Sequence, residues 1–218
     1  AAFLVFQPDF GQACLILFGW SVVYFVAGAQ ILLLIGVAVV TIGLGSFAYT
    51  YSEHFARRID GFLSPDLGPK TQLGYATNAI QEGGFFGVGV GEGQVKWSLP
   101  DAHTDFIIAV AAEEYGFVLV GLILAIYAVI VSISLARLLR ERDIFVRLAG
   151  TGLVCMFGIQ AVINIGVAAR LLPAKGMTLP FVSYGGSSLI AGGIAIGILL
   201  ALTRSRPQKN VADIFSKG

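Results

Sequence analysis

An all-α, polytopic helical membrane fold follows from three features of this 218-residue chain. Hydrophobic residues make up 56% of it, charged residues only 12%, and the mean hydropathy is +0.84. Five apolar runs approach the roughly 20 residues that cross a hydrocarbon core. A single long polar stretch, residues 50–105, interrupts them. The net charge of +1 lacks the basic stripe that would release counterions from phosphates, so nucleic acid is excluded as a partner. Cys14 and Cys155 both lie inside apolar runs and read as small hydrophobes rather than as a disulfide or a metal site. The opening AAFLVFQPDFG has neither Met nor a basic leader region, which predicts part of a longer chain rather than a processed precursor.

The first span is expected over residues 11–27, with Pro8 suited to a helix start and Asp9 favourable beside a helix N-terminus. A Gly28-Ala29-Gln30 break leads to a second span over 31–49, whose Gly36, Gly43 and Gly45 allow close helix approach, so the two are expected to form an antiparallel pair. Within the large loop, Arg57 and Arg58 before Phe62 and Leu63 predict a short interfacial helix, and QLGYATNAIQEGG predicts another. The GVGVGEG run after it lacks a following Lys-Ser/Thr and misses the dinucleotide spacing, so it reads as a close-packed turn and not a nucleotide loop. The third span, 106–138, is longer than a bilayer requires. Arg137, Arg140, Arg142 and Arg147 then mark a cytoplasmic connection. In the fourth span, 148–168, Gln160 and Asn164 lie one turn apart on a face that must turn away from lipid. Residues 169–188 carry Arg170, Lys175, Ser183, Tyr184, Ser187 and Ser188, and are too polar to face lipid as irregular backbone, which predicts a re-entrant-like outer loop. The last span, 189–202, ends at Arg204 and Arg206, so the C-terminal tail from 204 is expected in the cytoplasm and the large loop outside.

The stretch from Leu99 to Glu114 organises the rest. Asp101, His103, Thr104 and Asp105 run directly into an apolar helix that carries Glu113 and Glu114. A carboxylate costs roughly 2.5–3.5 kcal/mol at mid-membrane and less toward the edge, so Asp105 is a site hypothesis by default. The competing reading is a helix cap by Thr104 or Asp105. His103 either orients Asp105 or packs as an interface histidine. Glu113 and Glu114 are expected to find a backbone N–H or an outer-loop cation. Gln160 and Asn164 read as interhelical glue ahead of substrate contact. The hydroxyls of Ser183, Tyr184, Ser187 and Ser188 bind sugar or phosphate, or cap the last helix.

Seven motifs in order resemble the SEDS family (shape, elongation, division and sporulation): QPDFG at 7–11, RRID at 57–60, AHTDF at 102–106, AEE-GF across 112–117, INIGV at 163–167, LLPAKG at 171–176 and LPF-SYGGSS at 179–188. The KG before LPF and the RRID segment lean toward its FtsW cell-division branch. The resemblance covers the C-terminal half of the family pattern. It implies a bacterial inner-membrane peptidoglycan glycosyltransferase that polymerises lipid II, the undecaprenyl-pyrophosphate-linked disaccharide peptide, beside a class B penicillin-binding protein and other division proteins. It also implies that Asp105 matches the essential aspartate of the large outer loop.

That chemistry needs a base for the acceptor hydroxyl and cations for the departing diphosphate. Asp105 is the expected base. Lys175 and Arg170 are the first expected cations, and Arg57 and Arg58 the second. No cofactor is called for, no ligand cluster announces a metal, and a divalent cation at the diphosphate remains compatible with the residues. Two other classes stay open, a lipid-linked precursor flippase and a non-catalytic membrane scaffold.

Overall fold

The computed structural model describes residues 10–63, 71–172 and 176–204. Seven α-helices carry this part: α1 (Phe10–Val26), α2 (Ile31–Tyr51), α3 (Glu53–Leu63), α4 (Gln72–Gly83), α5 (Ile107–Leu138), α6 (Ile144–Ala168) and α7 (Gly186–Thr203), with a short 3₁₀ turn at Val95–Trp97. No strand occurs among the described residues. Helices α2, α5, α6 and α7 are long and apolar enough to cross a membrane, and α1 is a shorter apolar helix. Pro8, Asp9, Lys175 and the tail from 205 lie outside the described residues.

α5 and α6 form the axis of the bundle. Their antiparallel register is fixed by glycines: a Cβ on Gly150 would meet Leu138 Cδ2 at 2.4 Å, and one on Gly158 would meet Val131 Cγ2 at 3.0 Å. α1 packs on the other flank of α6, where Gly19 faces Met156 and Gly152 faces Val23. Three apolar clusters descend along this axis. At the Asp105 end, Leu73, Ala76 and Ala79 of α4 meet Leu99, Phe106, Ala109 and Val167. Ile108, Ala112, Val120, Tyr127, Ala161, Ala168 and Leu179 follow, and Leu138, Val154 and Leu199 close the far end. The alanines of α4 are wholly buried, which lets this loop helix lie directly on α5. α2 differs from the packed antiparallel partner expected for α1. None of its residues is buried, its neighbours among the described elements are α1 and α3, and nothing stands within 4 Å of a Cβ at Gly36, Gly43 or Gly45.

The third span is not the continuous helix its hydropathy predicts. Gly116 (φ 73°, ψ −174°) breaks α5 into a stub, from Ile107, and a long segment to Leu138. Residues 84–89 of the glycine-rich run fill the break. Val88 N–H and Gly89 N–H donate to the Glu113 and Glu114 carbonyls at 2.9 and 3.2 Å. Phe117 N–H and Val118 N–H donate to the Gly84 and Phe85 carbonyls at 3.0 and 3.3 Å. Backbone groups orphaned by the break are thereby satisfied, as burial demands. The insertion requires glycine: a Cβ on Gly83 would stand 1.8 Å from the Ala112 carbonyl oxygen, and one on Gly87 2.1 Å from that of Glu114. Below the break the helix keeps about 22 residues, roughly 33 Å, enough for a bilayer core.

Candidate functional site

Asp105 is presented by a tight turn rather than by a helix cap. Asp101, with φ of 55°, holds its carbonyl where Thr104, Asp105 and Phe106 N–H groups reach it at 3.1, 3.1 and 3.3 Å. Asp is one of the few residues that tolerate this left-handed conformation. Thr104 Oγ1 also donates to the Asp101 carbonyl at 3.1 Å. The cap expected from Thr104 or Asp105 is absent: Phe106 is the N-cap of α5, with no side-chain cap bond. The turn leaves the Asp105 carboxylate partly buried and, among the described residues, without a hydrogen bond or ion pair. Burial, and secondarily the Asp101 charge, push its pKa above the ordinary aspartate value.

Residues 176–185 come to the same place. A Cβ built on Gly176 would stand 3.4 Å from Asp105 Oδ2, so the backbone beside Lys175 passes against the carboxylate. Tyr184 N–H donates to the His103 carbonyl at 2.9 Å, and the two rings meet edge to face with centroids 5.9 Å apart. Deeper in the bundle, Asn164 Nδ2 donates to the Asp105 and Met177 carbonyls at 3.0 and 2.6 Å, and Gln160 Nε2 donates to the Thr178 carbonyl at 3.3 Å. Tyr127 Oη donates to the Pro180 carbonyl, and its ring continues through Phe157 to Phe181. The loop therefore dips along α6 instead of crossing over its end, and its carbonyls are satisfied by side chains from two helices.

The other expected residues fall into distinct places. Arg170 occupies the left-handed position that ends α6 in a Schellman turn: Arg170 N–H bonds the Val167 carbonyl at 3.1 Å, and Leu171 N–H the Gly166 carbonyl at 2.7 Å. A cation there also suits the helix C-terminus. Ser183 turns inward, is buried, and accepts the Leu179 N–H at 2.8 Å, so it shapes the loop instead of facing out. Tyr184 and Ser187 are exposed, and Ser188 Oγ donates to the Gly185 carbonyl at 3.0 Å. The structure does not bring Arg57 to this cluster. It pairs with Glu53 at 3.7 Å on α3, which packs only on α2 among the described elements, and the side chain of Arg58 lies outside the described part. Lys175 too lies outside the described residues.

Glu113 and Glu114 brace the site from below. Glu113 is wholly buried and accepts Val95 N–H at 2.8 Å on Oε1 and Lys96 N–H at 3.0 Å on Oε2. Glu114 pairs with the Lys96 ammonium in a half-buried contact. This tie of the outer loop to the Asp105 stub combines both partners expected for the acids, a backbone N–H and a loop cation. Sequence reasoning gave no role to Asp101, Lys96 or Tyr127. Pro100-Asp101 was a turn signal for the first, whereas Tyr127 shows nothing in sequence to set it apart from an ordinary membrane-core aromatic. Among the described residues no group of three His, Cys, Asp or Glu side chains could hold a metal ion. Cys14 and Cys155 are both free thiols.

Comparison with known proteins places this geometry. The sequence model of the FtsW/RodA/SpoVE family, described as cell cycle protein, matches residues 1–208. A Caulobacter vibrioides protein named probable peptidoglycan glycosyltransferase FtsW is 44% identical over 94% of this chain and 53% of its own length. Stage V sporulation protein E of Bacillus subtilis is 37% identical over 94% of this chain and 57% of its own. Among solved structures, a chain from work on the structural coordination of polymerization and crosslinking by a peptidoglycan synthase complex superposes with a TM-score of 0.77. It is 34% identical and covers 94% of this chain and 59% of that one. A Thermus thermophilus RodA crystal structure superposes with a TM-score of 0.60 at 31% identity, over 94% of this chain and 53% of that one. The chain spans about half the length of the curated relatives it matches.

Proposed function

Because this chain belongs to the FtsW/RodA/SpoVE family, we propose that it supplies the catalytic end of a peptidoglycan glycosyltransferase that polymerises lipid II into β-1,4 glycan strands during septal wall synthesis. The observation that carries the reading is the Asp105 carboxylate, partly buried and unpartnered among the described residues, against the backbone at Gly176. In the proposed step the acceptor sugar's 4-hydroxyl attacks the anomeric carbon of the donor. The new glycosidic bond forms as the bond from that carbon to the diphosphate oxygen breaks. Asp105 takes the hydroxyl proton, and the leaving diphosphate keeps the electron pair. A carboxylate with a raised pKa and, among the described residues, no cationic partner is a better base than an ordinary surface aspartate. The diphosphate departs without protonation where cations hold its charge. Arg170 and Lys175 are assigned that task, with Arg57 and Arg58 behind them, and a divalent cation on the diphosphate is compatible with the same step. The exposed Tyr184 and Ser187, and the His103 ring that meets Tyr184 edge to face, are assigned to substrate contact.

The Asp105 end is assigned to the outer face of the bacterial inner membrane, with the C-terminus in the cytoplasm, in keeping with the arginines at 137–147 and 204. The assigned partner is a class B penicillin-binding protein within the division machinery; the solved relative above comes from a peptidoglycan synthase complex. The test is glycan synthesis from purified lipid II by the full-length partnered protein, its Asp105→Asn variant and its Lys175→Met variant. The expected result is loss of polymer with the first and reduced turnover at saturating lipid II with the second. Full polymer from Asp105→Asn removes the base assignment and leaves a flippase or scaffold. An unchanged rate in Lys175→Met removes that lysine from the site.

A further inference from the structure

Asn164 sits where α6 meets both segments of the site. Its side chain is 1% exposed. Its Nδ2 group gives one hydrogen to the Asp105 carbonyl and the other to the Met177 carbonyl. Both acceptors are carbonyl oxygens, so only the amide nitrogen can serve them, and the orientation of the side chain is settled. That orientation leaves Oδ1 buried and without a partner among the described residues. Two neutral hydrogen bonds are then roughly offset by one desolvated, unpaired oxygen, so the amide adds little to stability. What it does supply is geometry. Two segments far apart in the chain are held to one nitrogen, one of them ending in the Asp105 carboxylate and the other beginning at Gly176.

We propose that Asn164 is a positioning residue that sets the separation between the Asp105 turn and the 176–185 loop, so that base and loop meet the same substrate in one geometry. Gln160, one helical turn away, holds the Thr178 carbonyl and fixes the depth of the loop. Tyr184, bonded to the His103 carbonyl, closes the frame on the outer side. The inference rests on the reading of Asp105 as the base, and the experiment separates the two.

Asn164→Asp keeps the size of the side chain and removes both donated hydrogens. Asn164→Ser serves in its place where the first variant does not fold. The full-length protein is assayed for kcat and KM with purified lipid II, and hydrogen exchange is followed at the Tyr184 and Ala109 amides. The expected result is a kcat at least about tenfold lower, with KM within about threefold, since sub-ångström misplacement of a reacting group acts on turnover. Exchange at Tyr184 should accelerate about tenfold while Ala109, in the α4–α5 core, keeps its protection. Unchanged kcat with an inactive Asp105→Asn enzyme overturns the inference and leaves the base intact. A raised KM at constant kcat overturns it in favour of direct substrate contact, and equal acceleration at Tyr184 and Ala109 overturns it in favour of general packing. Should Asp105→Asn retain polymerisation, the base reading fails by itself. Tyr184 exchange then decides for Asn164: acceleration supports the tie, and no change ends it.

Discussion

Removing the Glu113 carboxylate should detach the outer loop from the Asp105 stub. The side chain is wholly buried, and its two oxygens each accept one backbone N–H, from Val95 and Lys96. Hydrogen bonds to a charged acceptor contribute about 1.5–3 kcal/mol each, and two N–H groups left without a partner add their desolvation cost. Val95 and Lys96 are only partly buried, so water recovers some of that loss. Glu113→Ala should therefore destabilise by about 3–5 kcal/mol, and Glu113→Gln, which keeps one acceptor oxygen, by about half as much. Gly93 lies against the same carboxylate, where a Cβ would be 2.7 Å from Glu113 Cδ, so a side chain at 93 would push the carboxylate off its two N–H partners. The assay is denaturant unfolding in detergent with hydrogen exchange read at Val95 and Lys96. A loss below about 1 kcal/mol in Glu113→Ala, with both amides still protected, would refute the reasoning.

Gly87→Ala should be as damaging, because the added Cβ meets the Glu114 carbonyl oxygen at 2.1 Å and the residue holds φ at 81°; a loss of about 3 kcal/mol or more in the same unfolding assay is expected. Tyr127→Phe strands the Pro180 carbonyl in an apolar layer and should cost about 1–3 kcal/mol, with faster exchange confined to residues 179–184. Asp105→Asn should stabilise the protein at neutral pH. Burial raises the carboxyl pKa in the folded state, so the stability this group contributes is full below its unfolded pKa and is lost as pH rises through the folded one. The Tm of Asp105→Asn should exceed that of the parent at pH 7, and the gap should close once the pH falls below the carboxylate range.

The sequence carried the helical membrane fold because lipid demands long apolar runs, and each run appears as a helix here. It drew attention to Asp105 because a polar, proline-led segment entering an apolar helix has few explanations, but not to the turn that presents it. The break at Gly116 was hidden. Glycine is common in membrane helices, and a φ of 73° there is stabilised by a loop some thirty residues earlier in the chain, which no local pattern records. The GVGVGEG run was legible as a close-packed turn, but what it packs into was not. The inward face of Gln160 and Asn164 followed from helical spacing, whereas their acceptors at Asp105, Met177 and Thr178 belong to tertiary structure alone. The cap read at Thr104 is absent because its hydroxyl donates to the Asp101 carbonyl, which also takes the Phe106 N–H that such a cap would bind.

The most direct measurement is the initial rate of glycan formation from purified lipid II as a function of pH, for the full-length protein and its Asp105→Asn variant. The account predicts an acid limb of unit slope in the parent, with a midpoint above the ordinary aspartate range, because the base works only when ionised and burial holds its pKa up. The variant should run at least about a hundredfold slower and lose that limb. A parent rate that stays flat down to pH 4, or a variant that keeps both the rate and the limb, would contradict it.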